Sequence, residues 1–194
     1  MARDAATRER QILEHSLKLF SQGGYRETSL QEVADQLGLT RPAFYYYFKS
    51  KDELLWRLIG SLGDDLLEKA RPIAASKAKP ADKLREMMLA HVRTMLSNAD
   101  AFTIYFAERH AVGRARDRRL RRGERAYMDL VAAAIAEGQS AGQFREGEPR
   151  TLALLVLGLA NSTLRWYRPR GELDATEIAE LVATVATDGL RRRR

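Results

Sequence analysis

Gly38-Leu39-Thr40-Arg41-Pro42-Ala43-Phe44-Tyr45-Tyr46-Tyr47-Phe48 decides the fold of this chain. Glycine suits the left-handed residue that ends a helix. Leu39 fits as a plug between helices. Thr40 has the side chain of an N-cap, and Pro42 in a first turn forfeits no intrahelical hydrogen bond. Phe44 and Phe48 stand four apart, so one helix face turns both inward. Arg41, Pro42, Tyr45, Tyr46 and Tyr47 are then left to point outward.

Upstream, Thr28-Ser29-Leu30-Gln31-Glu32 reads as the start of a second helix. Ser29 with Glu32 three residues on is a capping-box signature. Leu30, Val33, Ala34 and Leu37 form its buried side, and small Ala34 allows two crossing helices to approach. Before it, Ile12, Leu13, Ser16, Leu19 and Phe20 recur at helical spacing, and Gly23-Gly24 ends that helix. Tyr25 is expected to pack back beneath the turn.

Three outward tyrosines and an arginine on so short a helix are poorly explained as solvent surface. A tyrosine offers a flat apolar face to a thymine methyl and a hydroxyl to a phosphate oxygen. Arg41 can donate two hydrogen bonds to a guanine edge. Lys49 and Lys51 fall where the next helix starts, where lysine charge and free N–H groups can meet phosphates. Double-stranded DNA is therefore the expected partner. The competing expectations are an aromatic packing cluster, or a helical adaptor that binds only protein and uses the tyrosines as anchors.

Composition sets limits. The 194 residues carry 45% hydrophobic side chains, enough for a real core, and no cysteine, which excludes disulfides and thiolate chemistry. The longest apolar run, Leu152 to Ala160, is too short to span a bilayer, so no membrane partner is expected. The chain is expected to be cytoplasmic. Net charge is +7, yet residues 1–56 hold eight Lys or Arg against eight Asp or Glu. The excess lies mainly in Arg114–Arg125 and Arg191–Arg194, so charge alone argues little for DNA binding. His15, His91 and His110 have no ligand spacing, so no metal and no cofactor is expected. No nucleophile cluster or phosphate-cradling glycine loop supports an enzyme.

Period-3.6 patterning runs throughout, and no stretch alternates as a strand does. The expected fold class is all-α: an N-terminal three-helix helix-turn-helix domain over 1–50, a larger C-terminal helical domain over 51–190, to which the family resemblance given next assigns ligand binding and dimerisation, and a flexible basic tail over 191–194. About nine helices are expected, near 6–22, 29–36, 40–46, 50–70, 81–97, 100–111, 117–140, 149–167 and 174–190.

The cap, the turn, the aromatic helix and the lysine of Lys49-Ser50-Lys51-Asp52-Glu53-Leu54-Leu55, at this spacing over residues 8–56, resemble the DNA-binding domain of TetR-type regulators. The resemblance implies cytoplasmic homodimers with an all-helical ligand-binding domain, most of them repressors of transcription. It implies that Thr28 and Ser29 touch phosphate, that Thr40, Arg41, Pro42 and Tyr45 approach bases, and that Tyr46, Tyr47 and Lys51 hold the backbone. Relatives often carry histidine where this chain has Tyr47, whose hydroxyl can still reach a phosphate. A two-helix reader is too small for useful specificity alone, and a dimer reading two half-sites favours a palindromic operator.

A dimer interface is expected on two stripes: Leu152, Leu155, Val156, Leu159 and Thr163 on one helix, and Ile178, Leu181, Val182 and Val185 on the last. Gly158, Ala160 and Ser162 would let helices approach closely. The alternative is that both stripes are internal core, and the interface reading leans on the resemblance. An effector site is expected among Met88, His91 and Met95, then Phe102, Phe106 and Arg109, since methionine adapts to irregular ligands. His91 is also readable as a satisfied core histidine. Asn161-Ser162-Thr163-Leu164-Arg165-Trp166-Tyr167-Arg168-Pro169 is similar to a stretch in acyl-CoA-responsive members of the family, which adds Asn161 and Trp166 and makes an acyl-CoA the suggested small-molecule effector. The seven arginines of Arg114–Arg125 fit either CoA phosphates or a solvated face, with the solvated face preferred.

Overall fold

The computed structural model describes residues 2–192, with side chains from residue 5 onward. Among them are ten α-helices: α1 (Ala2–Gly23), α2 (Leu30–Gln36), α3 (Arg41–Tyr47), α4 (Lys51–Ile59), α5 (Leu62–Ala75), α6 (Pro80–Ser97), α7 (Ala99–Glu108), α8 (Arg114–Ser140), α9 (Pro149–Trp166) and α10 (Ala175–Leu190). A short 3-10 turn, Arg109–Val112, follows α7. The all-α class expected from the periodicity is the class observed.

Two boundaries differ from the sequence reading. The helix expected over 50–70 is two helices, α4 and α5, broken at Gly60-Ser61, both poor helix formers. A Cβ at Gly60 would stand 2.6 Å from the Trp56 carbonyl oxygen. The second half also runs through Pro72, where a helix end was expected. Pro72 and Glu68, whose carbonyl loses its N–H partner, are both exposed, so water can take that carbonyl.

The chain divides into two compact units, residues 1–62 with 100–120, and residues 63–99 with 121–194. In the first, α1 packs on α2 and α4, α2 on α3, and α4 on the 3-10 turn. Ile12, Phe20, Val33, Phe44, Phe48, Leu54, Leu55 and Ile59 are its buried apolar centre. Ser16, buried on the same face of α1, satisfies its hydroxyl by donating to the Ile12 carbonyl at 2.6 Å.

In the second unit α6 is the central element, packed by α9 and α10. Leu84, Met87, Met88, Val92 and Met95 are buried along it, against Ala153, Ala160, Ala179 and Ala183 from the two helices beside it. Alanine at those positions lets the backbones come close. Asp174 opens α10 with a complete capping box, its carboxylate accepting from Thr176 and Glu177 N–H while Glu177 accepts from Asp174 N–H. Gly138 is required by contact: a Cβ there would lie 2.1 Å from the buried Phe144 ring.

The tail expected over 191–194 begins within this packing. Arg191 pairs with Phe144 as an isolated bridge, and Arg192 N–H donates to the Gln143 carbonyl at 3.1 Å. Arg193 and Arg194 lie outside the described residues.

Candidate nucleic-acid interface and effector region

The turn between α2 and α3 has a full set of backbone bonds. Gly38 sits at φ +63°, and Leu39 N–H reaches the Ala34 carbonyl at 2.9 Å. Gly38 N–H reaches Asp35 O at 3.1 Å. This is the Schellman closure, which satisfies the last carbonyls of α2 and needs a residue free to adopt positive φ. Arg8 from α1 adds a side-chain donor, its Nη2 lying 3.0 Å from the Leu37 carbonyl. Thr40 caps α3 by accepting from Ala43 N–H at 3.4 Å. At α2, Ser29 accepts from Glu32 N–H at 3.0 Å. The returning half of the expected capping box is absent there, since the Glu32 carboxylate makes no bond to Ser29 N–H.

The inward and outward faces of α3 fall as the spacing predicts. Phe44 and Phe48 are buried with ring centroids 6.0 Å apart. Arg41 and Pro42 are exposed, Tyr46 is 71% exposed, and Tyr45 and Tyr47 are partly exposed. The Tyr46 and Tyr47 rings meet edge-on at 5.2 Å. The Arg41 guanidinium stands 5.6 Å over the Tyr45 ring, a cation–π contact that limits its rotamers. Lys49 Nζ folds back on the Tyr45 carbonyl at 2.8 Å. A shallow cleft of about 480 Å³ borders this helix, lined in part by Ser29, Gln31, Arg41 and Tyr45.

Two expected phosphate ligands stand differently. Thr28 is 4% exposed, and its hydroxyl donates to the Gly24 carbonyl at 2.9 Å, so it closes the turn after α1. Ser29, next to it, is exposed. Lys51 donates to the Arg26 carbonyl at 3.0 Å and stands 4.5 Å over the Tyr25 ring. Burial lowers its pKa below the ordinary lysine value. Tyr25 packs edge-on against Phe20 at 5.1 Å, as expected, and its hydroxyl donates to Asp52 at 3.4 Å. Lys51 is thus partly committed to holding the base of α4.

The same unit contains a cluster that the sequence reading missed. Arg116 and Arg119 place their guanidinium carbons 5.6 and 5.4 Å from the Trp56 ring centre, and Arg116 donates to the Asp52 carbonyl at 3.1 Å. Arg26 pairs with Glu108 at 3.3 Å. The Trp56 and Asp52 contacts tie α4 to the start of α8, and the Arg26 pair ties the turn after α1 to the end of α7. Arg116 is thus held against α4, while Arg119 stacks on Trp56 and stays exposed. Arg114 and Arg118 in this unit, and Arg121, Arg122 and Arg125 in the second, are exposed. The signal available in sequence was a tryptophan on α4 with arginines downstream at helical spacing, but nothing linear joins residues sixty apart.

The expected effector residues divide between the units. In the first, Phe102 is buried, Phe106 is 48% exposed, and Arg109 stands 5.9 Å over the Tyr105 ring. In the second, Met88 and Met95 are fully buried and Trp166 is 52% exposed. His91 is buried and satisfied, its Nδ1 lying 3.0 Å from the Tyr127 hydroxyl and its Nε2 2.9 Å from Asn161 Oδ1. Burial pushes its pKa down to about 4, so the ring is neutral at neutral pH. Tyr127 was not anticipated, although a buried histidine requires such a partner.

The two expected interface stripes are each part core and part surface. Val156, Thr163, Ile178 and Val182 are buried within the monomer, and Thr163 donates to the Ala160 carbonyl at 2.7 Å. An internal partner takes these positions because the predicted stripes straddle the edge of the face packed on α6. Leu152 is partly exposed. Leu155, Leu159, Leu181 and Val185 are exposed, joined by Leu154, which had not been assigned. A Cβ at Gly158 would meet nothing within 4 Å, so this face is open in the monomer.

A Schellman-closed turn feeding a capped, proline-opened helix with a buried and an exposed face defines a helix-turn-helix module, the arrangement that sets a short helix into a major groove. The family model described as "Bacterial regulatory proteins, tetR family" matches residues 12–58, and the one described as "Tetracyclin repressor-like, C-terminal domain" matches residues 77–190. The chain belongs to the TetR family of DNA-binding transcriptional regulators.

Among its relatives, the HTH-type transcriptional repressor KstR2 of Rhodococcus jostii is 27% identical over 185 residues, spanning 94% of this chain and 91% of KstR2. The crystal structure of a TetR/AcrR-family regulator from Thermobifida fusca is 36% identical, with a TM-score of 0.72 over 96% of this chain and 100% of that one. AibR, solved in complex with isovaleryl coenzyme A and operator DNA, is 23% identical with a TM-score of 0.79 over 95% and 98% of the two chains; at that identity it speaks to the fold. No helix among the described residues is long and apolar enough to cross a membrane.

Proposed function

We infer that this chain is a transcriptional repressor that binds a palindromic operator as a homodimer and releases it when a small hydrophobic effector, an acyl-CoA thioester, is bound. The observation that carries the DNA half is the exposed face of α3. Arg41, Pro42, Tyr45, Tyr46 and Tyr47 are outward because Phe44 and Phe48 fill the core. In this reading Thr40, Arg41, Pro42 and Tyr45 meet base edges, and Ser29, Tyr46 and Tyr47 meet phosphates. Lys51 supports the turn at Arg26 and adds charge, and Thr28 holds the turn from within.

The dimer reading rests on Leu154, Leu155, Leu159, Leu181 and Val185, which leave a wide apolar face on α9 and α10 open to water. A patch of that kind on a soluble chain marks an association site. The repressor reading draws support from KstR2, which is named a repressor, and the effector reading from AibR, which was solved with isovaleryl coenzyme A and operator DNA. A ligand that favours the DNA-released state shifts the population toward it, and one with equal affinity for both states shifts nothing.

The experiment is a fluorescence-anisotropy titration on duplex from the region upstream of the chain's own gene, with and without octanoyl-CoA. Nanomolar, salt-sensitive binding that octanoyl-CoA weakens supports both halves. Binding that the thioester leaves unchanged removes the effector half, and absence of any preference over random duplex removes the whole reading.

A further inference from the structure

Three polar side chains from α6, α8 and α9 form one chain through the apolar core of the second unit. His91 and Tyr127 are 4% and 6% exposed, and Asn161 at the end of the chain is partly exposed. Tyr127 Oη lies 3.0 Å from His91 Nδ1, and His91 Nε2 lies 2.9 Å from Asn161 Oδ1.

The proton positions follow from donor counting. The Tyr127 hydroxyl has no partner but His91 among the described residues. A buried hydroxyl proton must be donated, and Nδ1 is the acceptor in reach. Nδ1 is therefore the bare nitrogen, and the single proton of a neutral ring sits on Nε2. That N–H needs an acceptor, which turns the Asn161 carbonyl oxygen toward His91. The reverse arrangement, with Nδ1 protonated and the amide flipped, strands the Tyr127 proton in the core. Asn161 Nδ2 consequently faces away from the relay and makes no hydrogen bond among the described residues.

We propose that Asn161 Nδ2 is a positioned hydrogen-bond donor for the carbonyl oxygen of the acyl ligand, with Tyr127 and His91 acting as the positioning residues that keep the amide from flipping. This rests on the effector reading and adds to it the group that is recognised. Asn161 is partly exposed, so a ligand carbonyl oxygen can take the place of solvent at its Nδ2. A ligand of the same shape lacking that oxygen leaves the donor unpaired, and a site built to hydrogen-bond discriminates against such an analogue.

Two measurements on the intact protein test it. The first is long-range 15N–1H NMR of the imidazoles in ligand-free protein, with His91 expected neutral and protonated on Nε2; a proton on Nδ1 overturns the relay. The second compares octanoyl-CoA with S-octyl-CoA, the thioether without the carbonyl oxygen, by tryptophan fluorescence. Wild type is expected to bind the thioester about tenfold tighter, a difference of about 1.4 kcal/mol. Asn161→Asp keeps an acceptor for His91 and removes the donor, so it should lose that preference. Tyr127→Phe, which lets the amide flip, should lower it, with circular dichroism confirming that the variant folds. Equal wild-type binding of the two probes, or an undiminished preference in Asn161→Asp, overturns the inference and leaves the acyl-CoA reading standing. Failure of wild type to bind either probe overturns both.

Discussion

Arg41 and Tyr45 stand one turn apart on α3, with the guanidinium 5.6 Å from the ring centre. The contact pre-orders the long arginine side chain, and in the proposed reading of DNA by α3 this lowers the entropy lost on docking. Tyr45→Ala should therefore weaken operator binding through Arg41 as well as through its own contacts. The expected loss is about 1–3 kcal/mol on the operator and much less on random duplex. Combining it with Arg41→Ala in a double-mutant cycle should show coupling, and strictly additive losses would mean that the stacking does not matter.

Arg8 is expected to act on DNA from a distance. It donates to the Leu37 carbonyl at the end of α2, next to the glycine that sets the angle to α3. Arg8→Ala should cost about 1 kcal/mol in chemical denaturation, discounted for its partial exposure, and should lower operator affinity without changing the preferred sequence. Unchanged stability and affinity would show that the Schellman turn holds itself.

The proposed dimer interface separates exposed from buried positions on the same two helices. Leu155→Glu with Leu181→Glu should give a folded monomer by analytical ultracentrifugation, with its helical circular dichroism intact. Val156→Glu should instead lower or abolish cooperative unfolding, because a charge is buried without a partner. A double glutamate variant that stays dimeric would place the interface elsewhere.

Acid should destabilise the second unit through His91. Its folded pKa, about 4, lies below the unfolded value of 6.5, so the unfolded chain binds the proton more readily. The contribution is complete above pH 6.5 and is lost as pH falls from there toward 4, to the extent of about 3 kcal/mol. Urea midpoints measured across that range should show the limb in wild type and a shallower one in His91→Gln.

Gly138→Ala tests the packing of α8. The added methyl meets the Phe144 ring, whose position is fixed beneath the bridge to Arg191. Overpacking of this kind should lower stability by about 1–3 kcal/mol, read as a fall in Tm.

The helix-turn-helix was legible because each of its features is local. The glycine, the N-cap, the proline and two phenylalanines four apart all act within one or two turns of backbone. Helix periodicity likewise revealed α6, α9 and α10. What the periodicity did not resolve was the rotation of α9 and α10 by a few tens of degrees, which decides whether Val156 or Leu154 faces a neighbour. That depends on α6, up to a hundred residues away in sequence. Trp56 with Arg116 and Arg119, and His91 with Tyr127, are long-range pairings of the same kind, and no local signal marks them.

The most direct test of the central claim is the binding of wild type and Arg41→Ala to operator and to random duplex between 50 and 200 mM salt. Wild type should prefer its operator strongly and lose affinity steeply as salt rises. Arg41→Ala should lose most of the operator preference while keeping its weak, salt-dependent grip on random duplex. If wild type shows no operator preference, or Arg41→Ala weakens operator and random duplex equally, α3 is not the element that reads sequence.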